Sequence, residues 1–309
     1  NLIWCESFQQ AWNLFGKEVC GEAPKLGGAP EAASKLNLSF GKGPSIDPES
    51  LFLRAGEITP SFIEEINVSL KKKFGEAAPA PLGPNLERGF LVYAFLFKDL
   101  RFPIPFDRQT NTLTFVEAGG SFLKVESFGI PEVNGSVHPS LISQIGILHD
   151  VPGEYIIELK SKSKQDRIVL ARVSPDGTLS AAIDATMKRM RKAPAAFSPQ
   201  TSDQILVPRI SLDATRVFSE LIGREILNAK INGSVIRDAR SSVRFSLDAG
   251  GASARSEAKI RSVKNGHAPR RIVFDRPFLL LLLNASSNKP YLAIRVENAE
   301  ILASTANVK

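Results

Sequence analysis

Few residues of this 309-residue chain are placed to do chemistry. It has three histidines, His138, His149 and His267, and two cysteines, Cys5 and Cys20. No histidine stands at metal-ligand spacing from another histidine, a cysteine or a cluster of carboxylates, so no metal site is predicted. A G-x-S-x-G elbow, a Walker loop and a G-x-G-x-x-G turn opening a helix are all absent from the sequence. Gly250-Gly251 is followed by a strand pattern, so its amides lack the helix N-terminus that a phosphate cradle uses. Cys5 has no nearby histidine to take its proton and reads as a small buried thiol. The prediction is a protein that is not an enzyme and needs no cofactor.

The remaining candidate is a stretch with a different kind of reactivity, Asp248 to Phe278. After the glycine pair, Ala252, Ala254, Ser256, Ala258 and Ile260 fall on one parity, and Ser253, Arg255, Glu257, Lys259 and Arg261 on the other. A period of two is that of a β-strand, here with one small apolar face and one charged face. The pattern then dissolves into Ser262 to Arg271, where Asn265-Gly266 and Pro269 are turn signals. Small core-side residues suit a strand that must slide between two neighbours, and they equally suit an ordinary, tightly covered strand that ends in a basic surface loop.

The elements around it give a mixed fold. With 43% hydrophobic and 23% charged residues, the chain can bury a sizeable core. Its longest apolar run, Phe90 to Phe97, is eight residues, whereas a membrane-spanning helix needs about 20. No signal-like segment opens it. The net charge of +7 is spread over Lys71–Lys73, Lys160–Arg167, Lys188–Lys192 and Arg270-Arg271, which supports polyanion binding only weakly and nucleic-acid binding hardly at all. Helices are expected over Ser7–Val19, Glu31–Leu36, Thr59–Phe74 (Thr N-cap, Pro first, Gly75 as stop), Leu179–Arg191 and Thr215–Ile226. Strands are expected over residues 1–4, 50–53, 89–98, 155–159, 167–173, 205–211, 278–283 and 291–296, with one or two alternating strands over 111–125 around a Gly119-Gly120 turn and 244–248 leading into the alternating stretch. A helix between Cys5 and Cys20 would hold their Cα atoms roughly 20 Å apart, against about 4.4–6.8 Å for a disulfide. About a dozen strands with irregularly interspersed helices predict an α+β fold in one domain, residues 1–309.

Several motifs in the right order resemble the serpin family. Phe274-Asp-Arg-Pro-Phe-Leu279 is similar to the family's F-[ND]-[RK]-P-F-[LV] signature, and Leu206-Val-Pro-Arg-Ile-Ser211 to its L-x-[LV]-P-[KR]-[FILM]-S strand. Leu91-Val-Tyr-Ala-Phe-Leu-Phe-Lys98 with Phe102-Pro-Ile-Pro-Phe-Asp107 resembles the L-V-N-A strand and its continuation. Ile236-Arg-Asp-Ala239 precedes Gly251 by the family's spacing, and residues 1–7 resemble the entry to its central helix.

The resemblance implies three β-sheets with surrounding helices and a suicide-inhibitor mechanism: a protease cleaves an exposed loop, which inserts as an extra strand into the large sheet. It places the reactive loop at 248–273 and the hinge at Gly250 and Gly251. The inserting face is Ala252, Ala254, Ser256, Ala258 and Ile260, and the bait lies within Lys264, Asn265, Gly266 and His267. Counting from either flank puts the scissile bond after Asn265 or after Gly266, while Lys264 is the residue a trypsin-like pocket would prefer. The implied partner is a serine (or cysteine) protease, the implied state a monomer, and the implied setting extracellular, with the unpaired Cys5 and Cys20 leaving a cytoplasmic one open.

The departures are equally specific. Ala249-Gly250-Gly251 replaces Glu-[EKR]-Gly, and Tyr93, Ser241 and Phe102 stand where the family has Asn, His and Trp. Thirteen residues, 76–88, fill a gap that normally holds a strand and a long covering helix. A reduced helix set is therefore expected, and the alternative function is a non-inhibitory serpin-like binding or structural protein whose large sheet no longer accepts the loop.

Overall fold

The computed structural model of the chain describes residues 1–43, 45–83, 87–131, 139–173, 177–193, 196–250 and 269–303. In chain order its elements are β1 (Leu2–Cys5), α1 (Ser7–Leu14, continued by a wider π-type turn to Cys20), α2 (Glu31–Asn37), β2 (Leu51–Glu57), α3 (Pro60–Phe74) and β3 (Phe90–Asp99). Then come β4 (Asp107–Val116), β5 (Phe122–Ile130), α4 (Pro139–Ile142), β6 (Ile145–Val151), β7 (Glu154–Leu159), β8 (Asp166–Arg172) and α5 (Leu179–Lys192). The rest are β9 (Gln204–Pro208), β10 (Ile210–Val217), β11 (Ile236–Leu247), β12 (Arg271–Val273), β13 (Phe278–Asn284) and β14 (Pro290–Val296). The strands form three sheets, of order β1-β14-β13-β8-β7-β6, β12-β9-β5-β4 and β10-β11-β3-β2. The expected α+β class with three sheets is what is observed.

Packing divides the chain into two units. The first comprises Asn1–Trp4, Asp99–Ser211 and Ser246–Lys309, the second Cys5–Lys98 and Leu212–Phe245. In the first unit β13 is apolar from Phe278 to Leu283, with both of its faces covered and both of its edges paired. Phe278 to Leu283 are all buried, β14 lies antiparallel on one side and β8 on the other. Leu279, Leu281 and Leu283 pack with Ala182, Ile183 and Met187 of α5.

In the second unit β3 is the centre of the core. Val92 and Ala94 pack with Phe8, Ala11, Trp12 and Phe15 of α1 and its extension. The alternate residues Leu91, Tyr93 and Phe95 pack with Ile63, Ile66 and Leu70 of α3. α3 follows its sequence signals: the Thr59 hydroxyl accepts from the Phe62 amide at 3.1 Å, Pro60 opens the first turn, and Gly75 closes the helix at φ +58°.

Two expectations need correction, and one strand was not expected. Residues 215–226 are not helical. β10 runs on to Val217, and the following amides go to partners outside the segment: Phe218 to the Ala239 carbonyl (2.8 Å), Gly223 to Ile236 (2.8 Å) and Ile226 to Ser234 (2.7 Å). The apolar spacing that mimicked a helix instead buries Leu221 and Ile226 among the α1 residues, with Phe218 stacked on Phe8 at 3.6 Å. The single strand expected over 205–211 is two, β9 and β10, with Arg209 between them. β6 carries no sequence period because its register shifts between Ile147 and His149, a bulge that breaks the alternation.

Candidate functional site

The segment singled out in the sequence is held at two described ends, both within the first unit. At its start, Leu247 is the last residue of β11 and is fully buried. The Ala249 carbonyl accepts the Phe106 amide at 3.0 Å. The Gly250 amide donates to Asp248 Oδ1 at 2.7 Å, bending the chain at φ +84°. A Cβ at Gly250 would lie 3.1 Å from the Phe102 amide nitrogen and 3.2 Å from its ring, so two demands coincide on a glycine here, a left-handed backbone and a close approach. Phe102, Phe106 and Phe128 form a tilted aromatic trio beneath it, with centroids 4.8–5.8 Å apart.

An ion cluster centred on the buried Glu126 flanks the same bend. Arg209 pairs with the Glu126 carboxylate and lies 3.8 Å from Asp248, while Arg108 reaches Glu126 at 2.7 Å. Burial alone would raise the Glu126 pKa, but the hydrogen bonds from Arg108 and Arg209 outweigh it and hold the carboxyl below its usual range.

The far end is fixed by a different set of contacts. The Arg270 amide donates to buried Asp203 at 2.8 Å, and its guanidinium reaches Asp150 (3.0 Å) and Asp203 (3.3 Å) while lying over the Phe197 ring. β12 then pairs parallel to β9 from Arg271 to Val273. In the signature that follows, Phe274 packs edge-on against Tyr155 (5.1 Å) and Phe278 (5.3 Å), and Asp275 pairs with Arg172 at 3.2 Å. Of the predicted hinge, inserting-face and bait residues, Gly250 is described, at the left-handed bend given above. Gly251, Ala252, Ala254, Ser256, Ala258, Ile260, Lys264, Asn265, Gly266 and His267 lie outside the described residues, as does His138.

In the second unit, β11 and β3 are direct neighbours in the sheet. They start at the same end, where the Phe90 amide donates to the Val235 carbonyl at 3.0 Å. The residues that replace the family's Asn and His make hydrogen bonds of their own here. The Ser241 hydroxyl shares a buried 2.8 Å bond with Ser7 of α1, and Ser7 donates to the Cys5 sulfur at 3.1 Å. On the opposite face Tyr93 bonds Ser242, which in turn bonds Thr215 of β10 at 2.8 Å. Burial pushes the Tyr93 phenol up to about 12, so it is neutral at any physiological pH. Burial likewise raises Cys5 to about 11, the opposite of what a nucleophile needs.

Tyr93 and its neighbours on β3 are covered from the α3 side. α3 and Leu82 cover Leu91, Tyr93 and Phe95, and Arg244 of β11 donates to the carbonyls of Ala77 (2.9 Å) and Ala78 (3.1 Å). Sequence reading missed Arg244, Arg209 and the Ser7–Ser241 pair. The available signal for Arg244 was parity: Asp238, Arg240, Ser242 and Arg244 alternate with the buried Ala239, Ser241 and Val243.

By sequence the chain matches no family profile and no curated protein. By structure it is similar to the thermophilic serpin tengpin in its native state, with a TM-score of 0.63 and 11% identity over 96% of this chain and 88% of that one. It is similar also to human thyroxine-binding globulin (TM-score 0.60, 14% identity, 96% and 92% covered) and to mouse protein Z-dependent protease inhibitor (0.60, 13%, 96% and 91%). The fold is therefore the serpin fold. Those names attach the fold to a thyroxine carrier as well as to a protease inhibitor, so the fold leaves the two kinds of activity undivided.

Proposed function

We propose that this chain is a shortened, divergent serpin, one domain over residues 1–309, that inhibits a protease by cleavage and insertion of residues 251–268. The observation that carries the reading is the geometry of β11. It pairs directly with β3, and the residue after its last one begins the bend into the alternating stretch, with its return fixed separately at Arg270 and β12. A strand that parted from β3 would accept the small face Ala252, Ala254, Ser256, Ala258 and Ile260 by strand addition. Neither packing unit is one continuous stretch of chain, which favours treating both as parts of one domain.

The bait in this reading is Lys264 to His267, and the partner is a serine or cysteine protease of trypsin-like preference. The setting favoured is extracellular. No helix among the described residues is long and apolar enough to cross a membrane. Polyanion binding through Lys188–Lys192 is the weaker partner assignment, and the neighbour solved with heparin, protease nexin-1, concerns that protein alone.

A second reading, a binding protein whose sheet stays shut, draws on the polar bonds that tie β11 to its surroundings, Ser241 to Ser7 and Arg244 to Ala77 and Ala78. Incubation with trypsin-like and subtilisin-like proteases, followed by denaturing electrophoresis, separates the two. Inhibition predicts a covalent complex of added mass, lost on replacing Ala254 by a bulky charged residue. Cleavage near Lys264 with no complex and no gain in thermal stability leaves the second reading standing.

A further inference from the structure

Residues 75–83, between α3 and β3, pack on the face of β3 that carries Leu91, Tyr93 and Phe95, and they are held there from two sides. On the α3 side, Asn67 donates to the Leu82 carbonyl (3.0 Å) and accepts the Leu82 amide (2.8 Å), and Leu82 is buried with Ile63, Ile66 and Tyr93. A paired amide of this kind fixes the backbone as a strand partner would. On the β11 side, the Arg244 guanidinium gives one nitrogen to both carbonyls of Ala77 and Ala78 and the others to Asp213 of β10. Farther along, Arg237 at the start of β11 bonds the Arg88 carbonyl (3.3 Å) and pairs with Glu87 (3.3 Å).

We propose that residues 75–83 form a strap that latches the β3–β11 seam, with Arg244 as its release point. The strap belongs to the β2–β3 side of the sheet through Asn67 and Leu82. Arg244 belongs to β11. Separation of β11 from β3 therefore requires the bonds of Arg244 to the Ala77 and Ala78 carbonyls to break, whereas Asp213, on the neighbouring β10, can travel with β11 and keeps the guanidinium aimed at the strap. Charge-assisted bonds from a planar fork to fixed acceptors are short-ranged and directional, so the contact acts as a threshold and not a spring. The inference rests on the reading that this seam opens to admit a strand. It adds what sets the threshold of opening in a chain where thirteen residues, 76–88, connect α3 to the lead into β3.

The test compares the parent chain with Arg244→Ala and with the milder Asp213→Asn, which keeps the guanidinium but removes its anchor. Two signals are read: amide hydrogen exchange along β11, and uptake of a labelled synthetic peptide of sequence 252–260, followed by native electrophoresis. The expected result is exchange at 240–247 faster by about tenfold or more in Arg244→Ala and by a smaller factor in Asp213→Asn, with peptide uptake accelerated in the same order. If the parent takes up peptide and neither variant changes uptake or exchange, the latch is wrong while the insertion reading stands. If exchange rises in the variants but no chain takes up peptide, the latch stands and insertion fails. Should Arg244→Ala not fold, Asp213→Asn alone decides by the same two signals.

Discussion

The six-stranded sheet and the sheet containing β11 are built from different kinds of strand. In the first, β13 presents Phe278 to Leu283 without a polar interruption, and its pairing to β14 and β8 continues along almost its whole length. In the second, β11 alternates. Ala239, Ser241 and Val243 face one way, and Asp238, Arg240, Ser242 and Arg244 carry polar partners on the other. Separating β13 from a neighbour would expose leucines with nothing to replace the lost contacts. Separating β11 would break individual hydrogen bonds that water or a new strand can replace, each of modest net worth. The difference teaches where a strand can be exchanged in this molecule: the pairing of β13 is apolar along its length, whereas β11 adds polar contacts that a new partner can replace.

The largest expected effect tests the dry side of that contrast. Leu281 is fully buried against α5 residues and paired on both edges. Leu281→Ala should cost about 3–4 kcal/mol in urea unfolding, transfer and cavity terms together. A loss below about 1 kcal/mol would mean that β13 tolerates a void, and the contrast would collapse. The next effect tests the polar side. Ser7→Ala leaves the Ser241 hydroxyl buried without its 2.8 Å partner, at a cost of about 1–3 kcal/mol. Ser7→Ala with Ser241→Ala removes both groups and should recover most of that loss. Equal, additive costs in the double-mutant cycle would show that the two hydroxyls do not act as a pair.

Much of this was legible where one physical signal dominated. The Thr59-Pro60 start and Gly75 stop of α3 depend on local backbone chemistry and came through to the residue, and the apolar run of β3 reports burial on both faces. Residues 215–226 were misread because their apolar spacing serves a core reached from a turn, and the amides that decide the matter bond to residues 8 to 21 positions away in sequence. β6 was missed because its bulge at Ile147–His149 erases the period. At the candidate site, the glycine at 250 and the signature at 274–279 were visible as motifs. Arg244 and the strap were not, because their partners are backbone carbonyls of Ala77 and Ala78, and a carbonyl leaves no trace in residue identity.

The smallest effect concerns the bend where β11 gives way to the alternating stretch. Glu126 accepts from Arg209 and Arg108, and Arg209 also faces Asp248 beside the bend. Because Arg108 is half exposed, the cluster is partly screened, and Glu126→Gln should cost only about 1 kcal/mol at pH 7. The pH dependence identifies the cause. The folded-state pKa of Glu126 lies below that of an unfolded glutamate, about 4.3, so its contribution is complete above that value and is lost as pH falls through the folded pKa. The parent should therefore be more stable than Glu126→Gln at pH 7, and the gap should close only as pH falls through the lowered folded pKa and the parent carboxyl becomes neutral too. A gap that stayed constant on acidification until the fold was lost would assign the loss to packing, and the bend would then be held by the Phe102–Phe106–Phe128 trio and the Ala249–Phe106 bond without help from the charges.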